Sequence, residues 1–103
     1  MEEKKKYDII FGRLGRNPEL RRTQDGGYVC DFSVAIDNGK DKPPSWKRIV
    51  LWGEQAQICA KHLKKGNEVF VRGRNAVKTF TTKEGQEKSY EEVAAHLVGL
   101  TSV

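Results

Sequence analysis

Three stretches of the chain alternate apolar and polar side chains with a period of two, the signature of strands with one buried face. From Tyr28 to Ile36, Cys30, Phe32, Val34 and Ile36 share one face, with Val29, Asp31, Ser33 and Ala35 on the other. From Trp46 to Trp52, Ile49 and Leu51 form an ordinary core face, and Trp46, Arg48, Val50 and Trp52 stand on its reverse. From Glu68 to Phe80, Val69, Val71 and Val77 share a face with Gly73, against Phe70, Arg72, Arg74, Lys78 and Phe80. Asn75 breaks the apolar side of this last stretch, which a bulge or a rim position accommodates.

The remaining elements are shorter. Tyr7 to Leu14 contains the run Ile9-Ile10-Phe11 followed by Gly12 and Gly15, a strand able to bend sharply. The Gly12-to-Gly15 spacing is also that of a backbone-clamping loop, but Asn17-Pro18 follows where such a loop feeds a helix. Glu19 to Thr23 continues as a short extended piece, and Asp25-Gly26-Gly27 marks a hairpin. Asp37 to Ser45 is a loop stiffened by Pro43-Pro44. Glu54 to Lys65 predicts the one helix: Ala56, Cys59, Ala60 and Leu63 form its apolar stripe, Lys61, Lys64 and Lys65 suit its negative end, and Gly66 is placed to stop it. Lys83 to Gln86 is a turn, and Ser89 to Leu100 a last strand with Val93, Ala95 and Leu97 inward. His62 and His96 receive no chemical role. Five strands, with a helix between the third and fourth, predict an all-β protein: a five-stranded Greek-key OB-fold barrel over residues 7–103, behind a flexible charged N-terminus over 1–6.

The Trp46–Trp52 stretch changes the picture most. If Ile49 and Leu51 are buried, two indoles and a guanidinium stand on the open side of a sheet, where flat π-faces beside a positive charge suit unstacked bases and their phosphates. The competing reading places both rings in a second core, under a helix or across a subunit contact. The interleaved Arg72, Arg74, Lys78 and Phe80 repeat the basic-aromatic pattern on an independent strand, and the oligonucleotide-binding face of an OB-fold lies on its second and third strands. Together these favour single-stranded nucleic acid. Net charge agrees: 103 residues carry a formal +5, with a pI near 9.3, which suits a polyanionic partner. The chain has no apolar run fit for a signal peptide or a membrane span, which predicts a cytoplasmic location, and Cys30 and Cys59 read as buried free thiols. Paired carboxylates, a nucleophile-base pair, metal-ligand spacing and a phosphate loop are missing, so neither an enzyme nor a cofactor is expected.

The strings Ile9 to Arg21, Phe32 to Ala35, Ser45 to Gly53, Ala56 to Gly66 and Val69 to Gly73 resemble, in order and in spacing, those of the bacterial-type single-stranded DNA-binding proteins. The resemblance covers about residues 6–100. It implies an OB-fold that assembles as a homo-oligomer, typically a tetramer built from dimers, with DNA wound over its outside. It matches Trp46, Trp52 and Phe80 to stacking aromatics, and Arg48, Lys78 and Arg21 to basic residues of the binding face. With Arg72 and Arg74 from the strand pattern, these residues form the expected site for single-stranded DNA in replication, recombination and repair.

Three departures stand out. Asp37 to Lys40 lacks a further stacking aromatic common in the family, and the loop before Trp46 is short. The acidic-tipped tail through which the family recruits replication and repair enzymes is absent from these 103 residues. The rival reading is a primosomal OB-fold protein of replication restart acting mainly through protein contacts. An RNA-directed OB protein is not separated by physics from a DNA-directed one.

Overall fold

Residues 7–101 are described by a computed structural model. The charged lead-in expected over 1–6 lies outside the described residues. Six strands and one helix follow in the order β1 (Asp8–Leu14), β2 (Glu19–Arg22), β3 (Tyr28–Ile36), β4 (Ser45–Trp52), α1 (Glu54–His62), β5 (Glu68–Thr81) and β6 (Glu87–Leu100). One sheet runs β1-β5-β6-β4-β3-β2, and β1 also pairs with β3. That pairing closes a ring of five strands, β1-β5-β6-β4-β3, the OB-fold order. The extended piece after Pro18 becomes β2, a sixth strand attached outside the ring along β3. Its hairpin is the expected one: Thr23 N–H donates to Gly27 O at 2.9 Å, with Gly26 at a φ of 89°.

Closure depends on Gly12. β1 pairs with β5 as far as Arg13, and with β3 from Arg13 to Leu14. A Cβ on Gly12 would stand 2.8 Å from the Ala35 carbonyl oxygen, so a side chain there would hold the two strands apart where the ring shuts.

The core fills the ring from the faces that the alternation assigned. Phe32, Val34, Ile49, Leu51, Val69, Val71 and Val93 are buried, and α1 lays Ala56, Cys59 and Leu63 against them. Both cysteines are free and buried, and burial first, then Cys59, pushes the Cys30 thiol up to about 11. Among the described residues no helix is long and apolar enough to cross a membrane.

Four expectations are corrected. The helix ends at His62 rather than Lys65. Two side-chain amides take the backbone N–H groups that would have continued it: Lys64 N–H donates to Asn67 Oδ1 and Lys65 N–H to Asn17 Oδ1, each at 2.8 Å. Gly66, with a φ of 91°, therefore serves the turn after the helix and not its cap. Leu97 does not point inward. A bulge between Arg72 and Gly73 shifts the register, so Ala95 is buried, Leu97 is exposed and Val98 packs on the core. Val77 is likewise exposed: β5 parts from β1 after Gly73, and β6 pairs with β4 only from Glu92 onward, so at Val77, opposite Glu91, the β5–β6 hairpin has left the ring and has no core to face. Asn75 sits at this exit and donates to Glu91 Oε1 at 2.8 Å. The Asn75 amide, then Lys47, hold the Glu91 carboxyl below its usual range.

Candidate nucleic-acid interface

The outer surface of β2, β3, β4, β6 and β5 is one continuous sheet face, and register fixes what stands on it. Arg21 lies opposite Val29, and Val29 opposite Trp52. In the next row Asp31, Val50, Ala94 and Arg74 follow one another across four strands, and beyond it Ser33, Arg48, Glu92 and Ala76. Trp46 faces Ala35, while Lys78 faces Tyr90 and Phe80 faces Lys88 out on the hairpin.

Both indoles are on this face and open to solvent, Trp46 58% and Trp52 51% exposed. Neither is sealed under α1 or inside the ring. Val50, between them in sequence, is buried while standing on the same outer side, so the platform has an apolar floor at its centre. The Trp46 ring lies over the backbone of Gly15: a Cβ there would stand 2.7 Å from Cζ3 and 2.8 Å from Cη2. Gly15 thus leaves the space that the indole occupies.

Five charged side chains join the two indoles' rows into a ladder. Asp31 Oδ2 accepts from Arg21 Nη2 at 3.0 Å and from Arg48 Nη2 at 2.5 Å. Arg48 Nε reaches Glu92 Oε2 at 3.9 Å, and Glu92 Oε1 lies 4.0 Å from Lys78 Nζ. The order Arg21, Asp31, Arg48, Glu92, Lys78 therefore alternates in sign across the face. A dimple of about 60 Å³ opens beside it, lined by Arg16, Asp31, Phe32, Ser33 and Arg48.

Of the residues expected at the site, Arg21, Trp46, Arg48, Trp52, Lys78 and Phe80 fall on this one band. Arg74 stands at its border, across β6 from Val50, with its guanidinium 5.5 Å from the Tyr7 ring. Arg72 stands farthest from the indoles along β5: it pairs with Ile9 of β1 and Leu97 of β6, and lies 5.0 Å over Tyr7. It shares the outward side of its strand with the others and the Tyr7 ring with Arg74, but stands next to β1 and not across β6 from β4.

Sequence reasoning missed Tyr90, whose ring centroid is 6.0 Å from that of Phe80, and Lys88 opposite Phe80. The signal was present: with Val93 and Ala95 inward, the same alternation run backwards sets Glu92, Tyr90 and Lys88 outward. Arg16 was missed as well, since it follows β1 outside any alternating stretch, and among the described residues it has no ion-pair partner.

Comparison with known proteins bears on this geometry. The sequence pattern of the single-strand binding protein family matches residues 8–101. Single-stranded DNA-binding protein 1 of Chlorobaculum tepidum is 36% identical over 80% of this chain and 55% of its own length. The protein of the same name from Synechocystis is 36% identical over 62% of this chain and 55% of its own. The single-stranded DNA-binding protein of Treponema pallidum is 37% identical over 89% of this chain and again 55% of its own. The chain thus spans about half the length of the curated relatives it matches. The family match begins at the first residue of β1 and ends one residue past β6, so it takes in every strand of the ring, and the chain belongs to the single-strand binding protein family.

Proposed function

We propose that residues 7–103 act as one domain that binds single-stranded DNA without regard to sequence. Bases stack on Trp46, Trp52 and Phe80, while Arg21, Arg48, Arg74 and Lys78 neutralise phosphates; Arg72 contributes only to a strand that continues round the β1 side. The observation that carries this reading is the pair of half-exposed indoles on one outer face, with cations between them. A buried pair would have served a core. An exposed pair of this size on a small domain has a use for its apolar surface, and base stacking is sequence-tolerant because every base has a π-face. The role is binding and not catalysis, in the cytoplasm, wherever replication, recombination or repair leaves strands unpaired.

Assembly with further copies of the chain belongs to the same proposal. β1 carries exposed Ile9 and Phe11 on its outer side, and β3 joins its second edge only at Arg13 and Leu14. A strand edge still open from Asp8 to Gly12, beside an apolar face, suits pairing with a second copy. Replication and repair proteins remain candidate partners through surfaces other than the indole face.

Fluorescence anisotropy of labelled oligo(dT) tests the reading. Affinity is expected to fall with salt on a log–log slope of about −0.7 per phosphate contacted. Duplex DNA is expected to compete poorly, because paired bases cannot reach the indoles. A flat salt response together with equal competition by duplex would contradict it.

A further inference from the structure

We propose that Asp31 and Glu92 are positioning residues that act as built-in counter-ions of the binding face, holding its cations in place while cancelling much of their charge. The inference rests on the single-strand reading above and deepens it. The side chains of Asp31 and Glu92 are only 14% and 13% exposed, whereas Arg21, Arg48 and Lys78 above them are about half exposed. The carboxylates therefore lie beneath the cationic heads, and a phosphate arriving from solvent meets the heads first.

Each acid is shared. Asp31 takes one guanidinium from β2 and one from β4, and Glu92 takes Arg48 from β4 and Lys78 from β5. Three cations thus stand over two anions, and these five side chains sum to +1 in place of the +3 of the cations alone. Ion pairs whose cations are half exposed to water add little to stability. Their consequence is functional. A guanidinium already sharing its hydrogen bonds with a carboxylate gains less from a phosphate, because both anions seek the same fork of donors. A phosphate that it neutralises only in part releases fewer of the counter-ions condensed on the DNA. The ladder lowers the electrostatic share of binding and leaves stacking to decide which polyanions are held. Unpaired strands offer bases to the indoles, whereas duplex offers phosphates alone.

Asp31→Asn and Glu92→Gln, made separately in the full chain, test this against labelled oligo(dT) across a salt series. Each amide keeps the shape of the acid and removes its charge. Both variants are expected to bind about three- to tenfold more tightly at low salt, with the log–log slope steeper by about 0.7 for each cation released to a phosphate. Duplex is expected to gain at least as much as oligo(dT), narrowing the preference for single strands. A merely structural role for either acid would leave the slope alone. Unchanged or weaker binding at an unchanged slope, in variants with wild-type unfolding curves, would overturn the inference while leaving the single-strand reading intact. Failure of the wild-type chain to bind oligo(dT) at low salt would overturn both.

Discussion

Replacing Trp46 and Trp52 together by alanine is expected to weaken oligo(dT) binding by a factor of about thirty to twenty thousand, with little change in thermal unfolding. A base stacked on an aromatic side chain contributes about 1–3 kcal/mol, and about 1.4 kcal/mol is a factor of ten in affinity. Two contacts of that size give the range. Stability is spared because both rings are more than half exposed, so truncation removes surface and not core. Trp46→Ala leaves open space over Gly15, which the backbone there tolerates. Each single variant should lose about five- to a hundredfold. Anisotropy titration with a melting curve on the same samples separates affinity from folding. If the double variant lost less than about threefold, stacking would not be the main source of affinity. The protein-contact reading of an OB-fold would then fit better.

Leu51→Ala is expected to do the reverse. Leu51 is fully buried on the inner side of the same strand, opposite Cys30 of β3. Burial of Cys30 is deep enough to push its thiol up to about 11, and α1 brings Ala56 and Cys59 into the same core. A cavity opened there has rigid strands on several sides and little freedom to collapse. Loss of a buried leucine side chain costs about 2–5 kcal/mol, a large part of the roughly 5–15 kcal/mol that holds a domain of this kind together. Urea unfolding should show a lower midpoint at an unchanged slope. The fraction that stays folded should bind oligo(dT) almost as wild type does, since residues one step either side, Val50 and Trp52, face outward. Made on one strand, with Leu51 next to Trp52, the two sets of substitutions thus divide the strand into a folding face and a binding face.

That division was legible in the sequence because the β3 and β4 stretches follow the period of two, with Val50 the one buried residue on the outer side of β4. Ile49 and Leu51 against Trp46, Arg48 and Trp52 requires only that one side be buried, and a ring of strands has one inside. The alternation failed where geometry, not composition, sets direction. The bulge opposite Arg72 and Gly73 leaves His96 as an extra residue in β6, so Leu97 and Val98 exchange faces, and no side chain announces it. Val77 looks like a core residue by type, but its burial depends on how far β5 outruns its neighbours, a matter of tertiary pairing. Helix length was overestimated for a similar reason. The amides of Asn17 and Asn67 that interrupt the ladder are contributed by other parts of the chain. Alternation distinguishes inside from outside, not one side of a closed ring from another, so it did not separate Arg72, beside β1, from Arg74, across β6 from β4. The ladder of Asp31 and Glu92 was half visible: Asp31 stood on the open face of its strand from the start. Its sharing by Arg21 and Arg48 needs the pairing of β2 with β3 and β3 with β4.

The central claim is that the indoles at 46 and 52 meet unpaired bases directly, and tryptophan emission reports on it because the chain has only these two. Titrating oligo(dT) into the folded protein at low salt should quench that emission progressively to saturation, with each single-alanine variant retaining part of the quench and the double variant silent. Emission that stays constant while anisotropy reports bound DNA would place the strand elsewhere on the surface and contradict the account.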